Sequence, residues 1–447
     1  MGLLYLASSL ERAGHEAALV DAALRGLSGA ELARAIADCS PDILMVTSFT
    51  SDVAVLAREL PSVIDMLPEG TRLWLGGPHA SCRGPAAFED LPFFDAVFVG
   101  ESEETAIHAL TALPSEVDIP GVIWKSHPSP VKPSSIADLS TLPLPAWHLA
   151  PPGCYRGLPN GVILRRLPYA PVITTRGCPY GCTFCAGFRV TGRKIRHRPL
   201  EMVWEEIELL RKNYGVKEIH IEDDNFTFDR EYAMAFCREA IDRRTGLLFS
   251  TPNGVRLDRL DPELLGAMKR AGWYVIHCGI ESGSDRILKS VRKDTDTAAI
   301  RKAIAMIREA GLPVAGYFIL GLPGETREDI EKTISFASSS GLAWAHFASF
   351  LPIPGSEAGD AYIARHGIPG GSWDTFHNTA CPAPPDGMTA AELKKLQRNA
   401  FTSFYLRPGP IARSIPLLFH RGLAGRLARR ASAYLLTNRT RSGGESR

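Results

Sequence analysis

Cysteine is scarce and unevenly spread: of nine in 447 residues, three fall within eight consecutive positions and the other six are scattered. That distribution excludes a secreted disulfide framework and implies a reducing, cytoplasmic setting with one local metal or redox site. Long apolar runs are also missing. No segment reads as the roughly 18-residue apolar span that a membrane-spanning helix needs. The apolar opening Met1–Leu10 is interrupted at once by Glu11 and Arg12 and has no basic segment before it, so no signal peptide is expected. Gly2 does not make a myristoylation signal, because Leu6 stands where Ser or Thr is required. Charge of one sign is absent as well: 50 Lys and Arg oppose 49 Asp and Glu, which gives no general bias toward nucleic acid.

What remains is a chain with 45% apolar residues, long enough for two cores and an appendage. The division expected is 1–118, a first α/β domain; 119–164, a Pro/Ser-rich linker; 165–360, a larger α/β unit; and 361–447, a helical, basic C-terminal region.

In the first domain, Gly2–Ala13 has helical period and Glu16–Val20 is extended. Short apolar strands follow at Asp42–Thr47, Arg72–Leu75 and Asp95–Val99, each closed by Gly or Ser, with helices at 29–38 and 51–67. Such alternation predicts a parallel sheet covered on both faces. A small hairpin is expected around Val122–Trp124 in the linker. From 165 onward six strand–helix units follow one another: strands at 172–175, 218–222, 247–252, 274–279, 314–320 and 346–350, with helices at 200–214, 230–243, 262–271, 297–310 and 327–339. Without any antiparallel signal, this pattern predicts a partial parallel barrel with its chemistry at the C-terminal strand ends. From Phe401 the tail carries nine Arg and one acid, Glu445. Its apolar stretches Ile411–Phe419 and Leu423–Leu436 are interleaved with arginine. The tail is therefore either a solvated helical face or a peripheral contact with an anionic membrane.

Just past the first barrel strand lies Cys178-Pro179-Tyr180-Gly181-Cys182-Thr183-Phe184-Cys185, spaced C-x3-C-x2-C. Three thiolates in one compact loop suit an iron–sulfur cubane and leave its fourth iron open to a small ligand. A structural zinc site would need a fourth ligand, for which His197 is the local candidate. The remaining cysteines, Cys39, Cys82, Cys154, Cys237, Cys278 and Cys381, read as ordinary small buried residues.

This motif, with Phe184 as the aromatic before its last cysteine, resembles the radical S-adenosylmethionine (SAM) superfamily. The resemblance implies a 4Fe–4S cluster on Cys178, Cys182 and Cys185 that chelates SAM. One electron, from a donor such as flavodoxin or ferredoxin, then yields methionine and a 5′-deoxyadenosyl radical that abstracts a substrate hydrogen. Further segments fall at the following strand ends. Glu222-Asp223-Asp224-Asn225 either caps a helix or supplies a carboxylate, Asp223 or Asp224, for the methionine ammonium. Arg256 is a candidate partner of the methionine carboxylate. In Gly279-Ile280-Glu281-Ser282-Gly283, Glu281 can accept from ribose hydroxyls, with Ser282 beside it or serving as a helix cap. Gly321-Leu322-Pro323-Gly324-Glu325-Thr326 is expected to wall the SAM site from Gly321, and Thr326 with Asp329 makes an adequate capping pair.

Joined to such a barrel, the first domain resembles the cobalamin-binding domain of cobalamin-dependent radical SAM enzymes. The resemblance rests on Gly2–Ala7, Gly14-His15-Glu16 and Gly76-Gly77-Pro78-His79. It implies a flavodoxin/Rossmann-like fold with cobalamin at the strand ends, near Ser48, Gly76, Gly77, Pro78, His79, Gly100 and Glu101. The lower-ligand signature Asp-x-His-x-x-Gly is absent: Asp21 and Gly26 have its spacing, but Ala23 takes the histidine place. Base-off binding without a histidine ligand is expected instead. The chain opens on what should be the first helix, so the strand that is central in the order 2-1-3-4-5 is expected to be missing and its neighbours unpaired. Either the true start lies upstream or the cobalamin site is damaged.

The function expected is radical C-methylation of a small molecule, natural-product or lipid-like. Radical rearrangement, cyclisation or ring contraction is the alternative, and a non-catalytic cobalamin- or iron-binding sensor a third. Methylthiolation is disfavoured, because no second cysteine set is present, and no nucleic-acid partner is expected.

Overall fold

The computed structural model describes residues 1–113, 115–155 and 164–409. The expected tail segments Ile411–Phe419 and Leu423–Leu436 lie outside them.

Three parallel strands open the first domain: β1 (Ile43–Thr47), β2 (Arg72–Gly76) and β3 (Ala96–Phe98). The central residues of β2 and β3 are buried: Leu73, Leu75 and Val97 face one apolar cluster, while Trp74, Ala96 and Phe98 face another. That two-sided burial is why these strands read as continuous apolar runs. The sheet then departs from expectation at both edges. β4 (Val122–Trp124) is no hairpin in a linker; it pairs antiparallel with β3, and its three residues are buried. Further along, Gly100 bridges Ser134, so the Pro/Ser-rich segment is strapped onto this domain. At the other edge, residues 16–20 form no strand, and β1 pairs with β2 alone among the described residues. An extended segment becomes a strand only where a neighbour takes its N–H and C=O groups. Among the described residues, neither 16–20 nor the second edge of β1 finds such a neighbour.

The barrel follows the sequence pattern closely. β5 (Tyr169–Val172) pairs with β8 (Glu218–Ile221), which pairs with β9 (Leu248–Ser250). Parallel bridges Phe249–Trp273 and Val255–Cys278 lead to β10 (Ile276–Glu281), β11 (Val314–Leu320) and β12 (Trp344–Ser349). Six parallel strands thus stand side by side in chain order. The helices at 200–214, 230–243, 262–271 and 327–339 form with the bounds expected. Three of them begin at residues whose side chains cap the backbone: Asp229, Asp261 and Thr326. Ile219, Ile221, Cys278, Ile280, Phe318 and Phe347 point outward into the helix-facing core, leaving alternate residues to the lumen.

One antiparallel feature interrupts the alternation. β6 (Thr175–Arg176) pairs with β7 (Arg196–His197), so the cysteine motif is the content of a long hairpin rather than a plain strand–helix loop.

The C-terminal region is shared. Trp373 and Phe376 join the core of the first domain, while the helix Ala390–Tyr405 packs its Leu393, Leu396, Ala400 and Phe404 into the barrel's core. No described helix is long and apolar enough to cross a membrane.

Candidate functional site: the cysteine loop and the strand ends around it

The hairpin fixes the loop at both feet. Gly177 takes a positive φ of 101°, and a Cβ there would stand 2.2 Å from the Lys194 carbonyl oxygen, so only glycine lets the two limbs close. Beneath the loop, Phe184 packs on a small apolar cluster that includes Ile287, Val291, Leu322 and Phe350.

The three thiols face one another's field, and burial raises each above the ordinary thiol range, Cys185 to about 11. Backbone N–H groups oppose that shift: Gly187 N–H donates to Cys185 Sγ at 3.4 Å, and the Tyr180 N–H acts on Cys178. Arg256 and Lys293 favour the Cys182 thiolate in the same way. Two half-buried thiols and an exposed one, with N–H donors on Cys178 and Cys185 and two cations near Cys182, suit a group that binds thiolates, because such a ligand displaces the protons. The other cysteines divide. Cys237, Cys278 and Cys381 are buried as expected, but Cys39 and Cys154 are exposed and Cys82 is half-buried. Cys39 lies just past a surface helix and Cys154 on a surface turn, where no core reaches them.

The two aspartates after β8 have different surroundings. Asp223 is buried and accepts from Thr174 N–H (2.6 Å), Thr174 Oγ1 (2.5 Å) and Thr175 Oγ1 (2.9 Å), stapling β8 to the foot of the hairpin. Burial outweighs those bonds and lifts its carboxyl to about 6. Asp224 is exposed toward the loop and accepts from Gly177 N–H (3.1 Å) and Thr191 Oγ1 (2.7 Å). Asn225, which follows, is buried with both side-chain polar atoms unpartnered.

Arg256, after β9, lies 3.8 Å over the Tyr180 ring of the loop. Its Nε donates to Asp258, its Nη2 to the Lys293 carbonyl at 2.8 Å, and its buried Nη1 has no partner among the described residues. An orphaned guanidinium N–H beside the cysteines is what a carboxylate would satisfy.

At the end of β10 the ladder bulges between Gly279 and Glu281, and Glu281 takes a φ of 68°. Its Oε1 receives Lys293 Nζ at 2.8 Å. Ser282 turns away from the loop. Its Oγ meets Thr333 Oγ1 at 3.1 Å, so it ties this turn to the helix Arg327–Ser339. Gly321, after β11, likewise spends its N–H inside the protein, on Glu325 Oε2 at 2.5 Å. A Cβ at Gly321 would meet Leu393 at 2.7 Å, so the turn is a packed wall. Glu325 was not singled out from sequence. It is buried, its carboxyl is lifted to about 8 by desolvation, and it holds the turn through two N–H groups. Lys293 was missed as well, since nothing in its neighbours' pattern marks it.

The strand ends of the first domain come next to the same loop. Glu101 is buried and receives both Arg196 (Nη1 at 2.6 Å, Nη2 at 2.9 Å) and the Ile136 N–H (2.6 Å), with Arg176 at 3.3 Å. Arg176 also donates to Glu103 at 2.7 Å. These arginines are the last residue of β6 and the first of β7, so the carboxylates after β3 grip the hairpin that carries the cysteines. His79 is fully buried; Nδ1 lies 3.2 Å from Thr50 Oγ1 and Nε2 3.2 Å from Asp90, with Trp373 edge-on to the ring. Gly77, at φ 92°, admits no Cβ, which would come within 2.5 Å of Thr47 Oγ1. Gly76 ends β2, Pro78 occupies the first turn of the helix after it, and Gly100 closes on Ser134. Ser48 Oγ is buried and unpartnered, with Phe49 exposed beside it.

A loop of three cysteines at the mouth of a six-stranded barrel, clamped to a Rossmann-like sheet, is matched by two family models. The model for the radical SAM superfamily matches residues 172–337, and that for the B12-binding domain matches residues 1–110. An uncharacterized methyltransferase from Pyrococcus horikoshii is 30% identical over 93% of this chain and 89% of its own length. The chain belongs to the cobalamin-binding radical SAM enzymes. Cytidylyl-2-hydroxyethylphosphonate methyltransferase of Streptomyces wedmorensis is also 30% identical, over 80% of this chain and 76% of its own. Among solved structures, the radical SAM methyltransferase TsrM from Kitasatospora setae, bound to tryptophan and aza-SAM, superposes with a TM-score of 0.64. That match covers 81% of this chain and 73% of that one at 19% identity, and it shows the fold.

The cofactors of this radical SAM enzyme are therefore a 4Fe–4S cluster, SAM and cobalamin. The residues present fit them. Three thiols, two with N–H support and one beside two cations, suit the cluster; the orphan Arg256 Nη1 and the open Asp224 suit the charged ends of an amino acid, and the orphan Ser48 Oγ suits a ligand at the crevice.

Proposed function

We propose that this enzyme C-methylates a polar small molecule, with SAM held across the barrel mouth and cobalamin held at the adjoining crevice. When bound, the cluster supplies the electron that cleaves SAM to a hydrogen-abstracting radical, and cobalamin carries the methyl group. The observation that carries this reading is the Glu101–Arg196–Arg176 clamp. It joins the two half-sites through buried charge, so that the cysteine hairpin and the crevice move as one body. Transfer between two cofactors needs that fixed proximity.

In this reading Cys178, Cys182 and Cys185 hold the cluster, while Phe184 supports their loop. Asp224 faces the methionine ammonium, and Arg256 Nη1 the carboxylate. Glu281 accepts from the ribose, with Ser282 and Gly321 shaping the wall. Ser48, Gly76, Gly77 and Gly100 line the cobalamin crevice. His79 has both ring nitrogens engaged, which supports binding without a histidine ligand.

The lumen supports a polar substrate over a lipid. Tyr317 OH donates to the Pro252 carbonyl at 2.7 Å, so its oxygen accepts from His277 Nδ1–H at 2.9 Å. Burial depresses His277 to about 3 and keeps it neutral. Its buried Nε2 is then an acceptor without a partner among the described residues, and the buried Nδ1 of His220 has none there either. Buried unpaired acceptors reject hydrocarbon and favour a ligand with N–H or O–H groups.

The test is anaerobic reconstitution with iron, sulfide and hydroxocobalamin, then turnover with methyl-deuterated SAM over panels of polar and lipid-like substrates. A deuterated methyl on carbon together with 5′-deoxyadenosine supports the reading. Deoxyadenosine with an unmethylated, rearranged product assigns the enzyme to ring-forming or rearrangement chemistry instead.

A further inference from the structure

We propose that Lys293 is a positioning residue for SAM, orienting the Glu281 carboxylate so that one oxygen is held by the protein and the other is presented to the ligand. The inference rests on the reading of Glu281 as the ribose acceptor.

The salt bridge is enclosed. Lys293 is 8% exposed and Glu281 8%, with Nζ and Oε1 2.8 Å apart. Glu281 Oε2 takes no hydrogen bond from the described residues. A buried lysine that served only stability would be an unpromising choice, because the desolvation of both ions offsets their attraction. What the pair does provide is direction. A carboxylate free to rotate would present either oxygen, whereas one tied at Oε1 presents Oε2 alone.

The backbone around Lys293 is built for this placement. Arg292 and Asp294, on either side, take φ values of 54° and 53°, and Glu281 itself takes 68°. Three left-handed non-glycine residues within fourteen positions concentrate strain that only surrounding contacts can hold, a pattern of functional sites. Those contacts lead to the cysteine loop. Thr183 N–H donates to the Val291 carbonyl at 3.2 Å, Cys182 Sγ lies 3.9 Å from the Arg292 carbonyl oxygen, and the Lys293 carbonyl accepts Arg256 Nη2. The segment Val291–Lys293 therefore registers three parts against one another: the loop that holds the cluster, the arginine with an unpaired N–H, and the carboxylate at the end of β10. Gly279 completes the fit, since a Cβ there would stand 2.4 Å from Glu281 Oε1 and 3.0 Å from Lys293 Nζ.

The test uses the full chain with its cluster reconstituted, titrated with SAM, and follows both radiolabelled SAM in equilibrium dialysis and the change in the reduced cluster's EPR signal. Lys293→Met is expected to retain the cluster and weaken SAM at least tenfold, while Lys293→Arg stays within about threefold of wild type because it restores the N–H. Glu281→Gln is expected to weaken SAM similarly, and Glu281→Gln/Lys293→Met no more than Glu281→Gln alone. If Lys293→Met unfolds, leaving Glu281 buried and unpaired, the double variant compared with Glu281→Gln still decides. A further tenfold loss in it would mean that Lys293 acts independently of Glu281 and would overturn the proposal. Wild-type SAM affinity in Lys293→Met, with Glu281→Gln weakened, overturns it equally. Wild-type affinity in Glu281→Gln is a different failure, because it removes the ribose reading and the proposal with it.

Discussion

The barrel mouth and the Rossmann crevice are both made of glycines and polar residues at the C-terminal ends of parallel strands, yet they use those residues in opposite ways. At the mouth, polar atoms are left open: Arg256 Nη1 has no partner, Asp224 faces the loop, and Glu281 is fixed by one oxygen only. At the crevice, the conspicuous polar residues are consumed. Glu101 neutralises two arginines, and His79 lies between Thr50 and Asp90. Ser48 keeps a hydroxyl with no partner among the described residues. The same motif position therefore leaves polar atoms open in one half and ties segments together in the other. Residue type at a strand end does not tell them apart, but the count of satisfied hydrogen bonds does.

The sharpest way to separate the halves is to remove one cofactor at a time. Cys182→Ala is expected to abolish the cluster's visible absorbance and all deoxyadenosine formation, while corrin still co-elutes after desalting. Ser48→Val is expected to do the reverse, losing corrin and keeping SAM cleavage. Loss of both cofactors in Ser48→Val would show that the crevice does not stand apart from the mouth.

Next in size is the clamp. Glu101→Gln leaves the buried Arg196 guanidinium without a counter-charge, while Arg176 keeps Glu103 at 2.7 Å, and the loss costs about 3–5 kcal/mol. A large drop in Tm, with the unfolding of both halves still coincident, is expected. A variant with unchanged Tm that no longer binds corrin would instead make Glu101 a ligand contact and break the comparison.

The aspartates test it within the barrel. Asp223→Ala removes three bonds to an ionisable acceptor and is expected to lower stability by roughly 2–4 kcal/mol. Asp224→Asn is expected to leave Tm within about a degree and weaken SAM. Equal loss of SAM affinity in both, at equal stability, would erase the distinction between staple and ligand.

Much of this was legible beforehand because the physics was local. Apolar period gave the barrel helices their bounds, with Thr326 as a cap on one of them, and cysteine spacing located the loop. What was not legible was non-local. Val122–Trp124 carries no mark that it pairs with Ala96–Phe98, nor Thr175–Arg176 that it pairs with Arg196–His197, since a short strand is defined by its partner. Glu16–Val20 shows the converse: extended in pattern, it forms no strand without a neighbour. The same reason hid Lys293, whose meaning lies entirely in Glu281, twelve residues away. It also hid the different surroundings of Asp223 and Asp224, because the threonines that bond Asp223 lie about fifty residues earlier in the chain.

The smallest effect asks most of the crevice. His79→Phe removes the bonds to Thr50 and Asp90, but Asp90 keeps Arg83 at 2.6 Å and Trp373 Nε1 at 3.0 Å. The carboxylate is therefore not stranded, and the cost should be about 1–2 kcal/mol, read in the Tm. Because neither nitrogen is free, the imidazole has nothing to offer the cobalt, and corrin uptake and its absorption maximum are expected to match wild type. The informative result is the opposite one. If His79→Phe keeps its Tm but shifts the corrin spectrum, the histidine leaves Thr50 and Asp90 when cobalamin binds. The crevice would then hold a concealed ligand, and its satisfied hydrogen bonds would describe the resting protein rather than its purpose.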